Sequence, residues 1–166
     1  LIPQEVLDIP QYGCINVHAS LLPKLRGAAP IQWSVINGEK ETGVTTMQLD
    51  AGLDTGDILL VKKTDILENE TSGELFDRLK VLGAELLLET IDAILAGTLN
   101  PVKQDDSQST YASMLNKSIS PVDWSKPAQA VHNHIRGLEP WPVATAVING
   151  KPVKVFGSRM GKACGK

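Results

Sequence analysis

The sequence predicts an α/β fold: strands and helices sharing one layer over residues 1–97, a linker over 98–112, and the opening of a small β-rich part over 113–166. Three observations carry this reading. Residues 14–20, CINVHAS, alternate with a period of two, as a strand does. Thr71-Ser-Gly-Glu74 has capping-box spacing and opens a leucine-rich helical pattern that runs to Gly97. Asn149-Gly150 sits between two strand-like runs, VATAVI and KPVKVF, which is a strong two-residue hairpin signal.

The remaining elements follow in order. After CINVHAS comes a loop punctuated by proline and glycine, LLPKLRGAAP, and then a short helical pattern, PIQWSVING. Pro30 suits the first helical turn, where its missing N–H costs nothing, and Gly38 suits the stop. GVTTMQLD and DILLVKKTDI read as two strands around the loop AGLDTG. In the long helix, Leu75, Leu79, Leu82, Leu86 and Ala93 keep helical spacing. Residues 98–112 are rich in Gln, Asp, Ser and Thr and read as the linker. Beyond them, Ser125 and Pro127 introduce a short helix ending at Gly137.

Composition excludes several classes. With 42% apolar and 21% charged residues the chain is an ordinary globular sequence, neither disordered nor collagen-like. No apolar run has the length of a membrane span, so no membrane partner is expected. Cys14 and Cys164 match no zinc or redox spacing, and sparse cysteine suits a reducing cytoplasm, with Cys14 a buried thiol. The chain opens on LIPQEVLDIP and closes on SRMGKACGK, and both ends are expected to be cuts through a longer protein. Charge is unevenly spread. Residues 1–110 hold 8 Lys/Arg against 17 Asp/Glu, a net of −9, and residues 111–166 hold 8 against 2, a net of +6. That split suits a second half that meets a polyanion, or simply a solvated basic face.

Two groups of residues could carry chemistry. Asn16, His18 and Ser20 are two apart, so a strand places them on one face. Polar side chains on a buried face need partners, because unpaired burial costs about 1–3 kcal/mol. Taken alone, the triplet favours a satisfied structural histidine with a strand-end asparagine over a ligand-binding edge. The loop Leu49–Asp57 contains Asp50, Asp54 and Asp57 among glycines. Its spacing is wrong for a calcium-binding EF-hand. It is either a solvated turn or a source of one inward carboxylate that orients a histidine. A histidine held by a carboxylate keeps a defined tautomer and suits proton transfer. Together the groups fit acyl transfer to an amine: a base for the proton and an amide donor for the oxyanion. No metal-ligand cluster is present in the sequence, and no metal is expected. His132 and His134, two apart on a helix, do not share a face and read as structural or surface residues.

The string CINVHASLLPKLRGAAPIQWSVINGEKETGVTTMQLDAGLDTGDILL resembles the folate-dependent formyltransferases, above all the branch acting on methionyl-tRNA. Asn-x-His-x-Ser-Leu-Leu-Pro followed by Leu-Asp-Thr-Gly is the specific pairing. The resemblance continues into VDWSKPAQAVHNHIRGLEPWP. It implies the C-terminal portion of a Rossmann-like catalytic domain over 1–97 and the beginning of an OB-like, tRNA-binding barrel over 113–166. It implies Asn16, His18 and Asp54 as catalytic residues, with Ser20, Leu21, Leu22 and Pro23 along the folate. The implied donor is 10-formyltetrahydrofolate, and the implied acceptor is initiator methionyl-tRNA, in translation initiation. Lys151, Lys154, Arg159 and Lys162 are the candidate tRNA contacts in the basic half. Sister enzymes with the same donor, acting on a nucleotide sugar or hydrolysing the formyl group, and an inactive folate- or RNA-binding module are the competing readings. The sequence sets no oligomeric state, with a monomer the default.

Overall fold

The computed structural model describes residues 2–161. Its elements are α1 (Gln4–Leu7), β1 (Ile15–His18), β2 (Arg26–Gly27), α2 (Pro30–Ile36), β3 (Glu41–Gln48), β4 (Ile58–Asp65), α3 (Ser72–Leu95), β5 (Tyr111–Ala112), α4 (Ala128–Gly137), β6 (Ala144–Ile148) and β7 (Lys151–Val155). The α/β class expected from the sequence is observed, as are the long helix and the hairpin.

β1, β3 and β4 form one sheet with β3 in the centre, antiparallel throughout. The central strand is buried from Thr42 to Met47, which is why it reads as a run of Val, Thr and Met rather than an alternation. On one face lies α3. Thr71 caps its N-terminus, with the Thr71 hydroxyl accepting from the Glu74 N–H and the Glu74 carboxylate accepting from the Thr71 N–H. Gly97, at φ 65°, ends it in the left-handed region. Leu75, Leu79 and Leu86 point inward and join Ile31, Val35, Val44 and Ile66 in the main core. Truncating any one of these leucines to alanine costs about 2–5 kcal/mol. Gly83 lets the helix approach the sheet closely, since a Cβ there would lie 3.0 Å from Val17 Cγ1.

The first strand is shorter than predicted. It ends at His18, and Ser20 sits in the turn that follows. The Thr45 hydroxyl donates to the Ser20 carbonyl (2.7 Å) and accepts from the Leu22 N–H (3.3 Å), while the Ser20 hydroxyl donates to the Lys24 carbonyl (2.6 Å). These bonds turn the chain out of the sheet. The shared-face argument therefore covers Asn16 and His18 but not Ser20.

Residues 98–112 return across the first part. Val102 bridges to Ile58, and β5 pairs in parallel with β2, Arg26 opposite Tyr111 and Gly27 opposite Ala112. Beyond them, α4 packs on α2 through Ile135, Leu138, Ala29, Trp33 and Ile36. Arg136, buried on α4, donates to the carbonyls of Leu67 (3.2 Å) and Glu70 (2.9 Å), and burial lowers its pKa. His132 is also buried. Its Nε2–H donates to the Glu68 carbonyl, which leaves Nδ1 to accept from the Ser158 hydroxyl. The β6–β7 hairpin turns through Asn149 (φ 49°) and Gly150 (φ 75°), the pair of positive φ angles that a type I′ turn requires.

Candidate active site

β1 delivers two polar side chains to its end. Asn16 is partly exposed and makes no side-chain hydrogen bond among the described residues. His18 is 5% exposed. Its Nε2 lies 2.9 Å from the Leu25 carbonyl. Because a carbonyl only accepts, that nitrogen carries the proton and Nδ1 is the basic nitrogen of the neutral ring. Asp54 Oδ2 lies 3.7 Å from Nδ1, too long for a hydrogen bond but close enough to attract a protonated ring.

The three acids of the 49–57 loop divide their work. Asp50 closes the loop, accepting from the Gly52 N–H (3.0 Å) and the Thr55 hydroxyl (2.7 Å). Asp57 is exposed. Asp54 alone turns inward, its side chain 14% exposed, and takes the Gly27 N–H at 2.7 Å. Its backbone is left-handed, φ 53°, and so is that of Leu25, φ 59°. Two non-glycine residues in this sparsely populated region flank one histidine, and such strain is characteristic of sites whose geometry is held from outside.

Sequence reasoning missed what holds it. Gln104, 6% exposed, donates through Nε2 to the carbonyls of Asp54 (2.8 Å) and Gly56 (2.7 Å). Its Oε1 accepts from Arg26 Nε (3.0 Å) and Nη2 (2.8 Å), and Arg26 also reaches Asp106 at 2.8 Å. These partners stand 50 and 78 positions apart in the chain, beyond any local pattern. The local signal was a charged Arg-Gly step in a loop whose one other charged residue is the exposed Lys24.

The other candidates fall as follows. Ser20 and Leu22 are turned inward, while Leu21 and Pro23 are partly exposed. A cavity of about 530 Å³ lies behind this loop, bordered by Leu21, Lys24, Leu25, Lys40, Thr110 and Tyr111, and it does not include Asn16, His18 or Asp54. Lys151, Lys154 and Arg159 are exposed, with Lys151 and Lys154 on opposite faces of β7 by the strand period. Lys162 and Cys164 lie outside the described residues. Cys14, just before β1, is a partly buried free thiol. Among the described residues no group of three His, Cys, Asp or Glu side chains is placed to hold a metal ion, and no helix is long and apolar enough to cross a membrane.

Residues 1–91 match the formyl transferase family model, and residues 114–166 match the model of the formyl transferase C-terminal domain. The chain belongs to the formyl transferase family. The chain is 53% identical over 160 residues to the methionyl-tRNA formyltransferase of Clostridium novyi, covering 96% of the chain and 52% of the relative. It is 56% identical over 159 residues to that of Solibacter usitatus, covering 96% and 51%. The chain thus spans about half the length of the curated relatives it matches. Among solved structures, an N-formyltransferase from Helicobacter canadensis in complex with folinic acid and dTDP-3-aminofucose superposes with a TM-score of 0.73 at 30% identity, covering 82% of this chain and 51% of that one. A 4-N formyltransferase from Francisella tularensis reaches 0.79 at 24% identity, over 96% and 68%, and speaks for the fold alone. The elements from α1 to β4 and most of α3 thus fall in the formyl transferase N-terminal, Rossmann-like domain, α4, β6 and β7 fall in the C-terminal domain, and β5 lies between the two matches.

Proposed function

We propose that this formyl transferase acts on methionyl-tRNA, moving a formyl group from 10-formyltetrahydrofolate to the amino group of the initiator methionyl-tRNA in the cytoplasm. The observation that carries the chemistry is the approach of Asp54 to His18, on the strand face that also bears Asn16, whose amide makes no hydrogen bond among the described residues. The amine, as its free base, attacks the formyl carbon. A C–N bond forms and the carbonyl π pair moves to oxygen, where an Asn16 N–H stabilises it. The new ammonium nitrogen gives its proton to His18 Nδ1, the basic nitrogen left when Nε2–H is committed to Leu25. Asp54 stabilises the resulting imidazolium, which then protonates N10 of the folate as the C–N10 bond breaks. Leu21 and Pro23 offer their exposed edges to the folate, with Ser20 and Leu22 shaping the turn beneath them. Lys151, Lys154, Arg159 and Lys162 would draw in the tRNA phosphates.

Identity of 53–56% to methionyl-tRNA formyltransferases, against 30% to an enzyme crystallised with an amino sugar nucleotide, favours the tRNA acceptor. The test offers the full-length protein 10-formyltetrahydrofolate with methionyl-tRNA, a dTDP-amino sugar, or water alone. Formyl-methionyl-tRNA is the expected product. Turnover of the sugar without the tRNA would overturn the proposal in favour of the sister enzyme. Folate or tRNA binding with no turnover of any acceptor would leave an inactive binding module.

A further inference from the structure

We infer that Gln104 is a positioning residue of the active centre, holding Asp54 in the backbone conformation that aims its carboxylate at His18. The inference rests on the catalytic reading of Asn16, His18 and Asp54. Asp54 is tethered at two points. Its carboxylate is held by the Gly27 N–H at 2.7 Å, and its carbonyl by Gln104 Nε2 at 2.8 Å. Gln104 also grips the far side of the same bracket, because Arg26, which donates twice to Oε1, is the residue joined to Gly27. One buried amide therefore ties together the segment that donates to the carboxylate and the loop that presents it.

The amide orientation is unambiguous. Two carbonyls need the N–H donors and a guanidinium needs the oxygen, so all four hydrogen-bonding positions of the side chain are filled in one sense only. The left-handed backbone of Asp54 is intrinsically less favourable than the α or β regions. Without a donor on its carbonyl the loop relaxes, and the carboxylate leaves both the Gly27 N–H and His18 Nδ1. A displacement of about 1 Å at such a group costs up to about 100-fold in rate. Residues 98–112 thus contribute to the catalytic centre as well as connecting two parts of the chain.

The experiment compares Gln104→Glu with wild type in the full-length protein, alone and combined with Asp54→Asn. Glutamate keeps the acceptor for Arg26 and loses both donors to the 54–56 loop. Gln104→Met replaces it if the glutamate variant does not fold by circular dichroism. The expected result is a kcat about 10- to 100-fold lower with KM for both substrates within about twofold. In the Asp54→Asn background the same change should alter kcat by less than about twofold, because the group being positioned is already gone. A wild-type kcat, or an equal fold-loss in both backgrounds, overturns the inference and makes Gln104 a packing residue. If the wild-type protein formylates no acceptor, the functional reading fails by itself. The inference is then decided by the ¹⁵N shifts of the His18 ring, whose change in Gln104→Glu supports it and whose constancy overturns it.

Discussion

Gly27→Ala strikes the site through its backbone. Gly27 has φ 113°, a conformation that L residues avoid. A Cβ there would lie 2.6 Å from Tyr111 Cε2 and 2.7 Å from the Ala112 carbonyl oxygen. The exposed Tyr111 ring can swing aside, but the Ala112 oxygen is backbone and already accepts from Ala28 N–H at 2.9 Å. Relief therefore requires β2 to leave β5 by roughly 0.5–1 Å, given an optimal non-bonded separation near 3.5 Å. That movement stretches the bond from Gly27 N–H to Asp54 Oδ2. Backbone strain of about 1–3 kcal/mol and a hydrogen bond to a charged group worth about 1.5–3 kcal/mol together give a loss of about 3 kcal/mol or more. In a protein about twice this chain's length, as its relatives are, the melting temperature should fall by about 4–6 °C. The formylation rate should fall at least about 10-fold, because Asp54 shifts with its donor. Thermal unfolding and single-turnover formylation of the full-length variant measure the two effects. A variant that melts within about 2 °C of wild type and turns over normally would refute the claim that this close approach holds the site.

Four further outcomes are expected. His18→Ala and Asp54→Asn should each lower kcat by about 100-fold, as loss of acid–base catalysis does, and steady-state kinetics with near-normal turnover in either would remove that residue from the mechanism. Thr71→Ala should cost about 1 kcal/mol in a denaturant titration, the worth of an N-cap, since it removes the acceptor of the Glu74 N–H. Burial, against weaker opposition from nearby backbone carbonyls, holds the pKa of His134 below 6.5, and its Nε2 has no partner among the described residues. The unfolded chain therefore binds the extra proton first as pH falls through about 6.5, and stability present above that value is lost on acidification toward the folded-state pKa. His134→Gln should flatten the dependence of melting temperature on pH over this range, and an unchanged slope would disprove the assignment. Binding of tRNA through Lys151, Lys154 and Arg159 should weaken steeply with salt, because each neutralised phosphate releases counterions, and salt-insensitive binding would return those residues to a solvated face.

Much of the fold was legible locally, and the candidate site only partly so. Capping chemistry at Thr71 and Glu74, leucine spacing along α3, and the Asn149-Gly150 turn are decided within a few residues, so their signals survive in the sequence. β1 was carried two residues past its end because that end is decided by the Thr45 hydroxyl, which donates to the Ser20 carbonyl from another strand. The inward carboxylate was one of the open readings of the 49–57 loop; spacing alone did not separate Asp54 from Asp50 or Asp57, and only the resemblance carried by Leu-Asp-Thr-Gly singled out Asp54.

By itself, the sequence determined the long helix, the main strands and the β6–β7 hairpin, because periodicity and capping are properties of neighbours along the chain, and its CINVHASLLP and LDTG strings carried the family resemblance, whereas α1, β2 and β5 left no such signal. The tertiary structure decided the rest. It set the Asp54 carboxylate 3.7 Å from His18 Nδ1, made Gly27 its donor, and brought Gln104 across 50 positions to hold it. The physical reason is that a residue pattern dictates how a segment folds on itself, whereas a hydrogen bond between distant segments exists only once packing has set both ends in place.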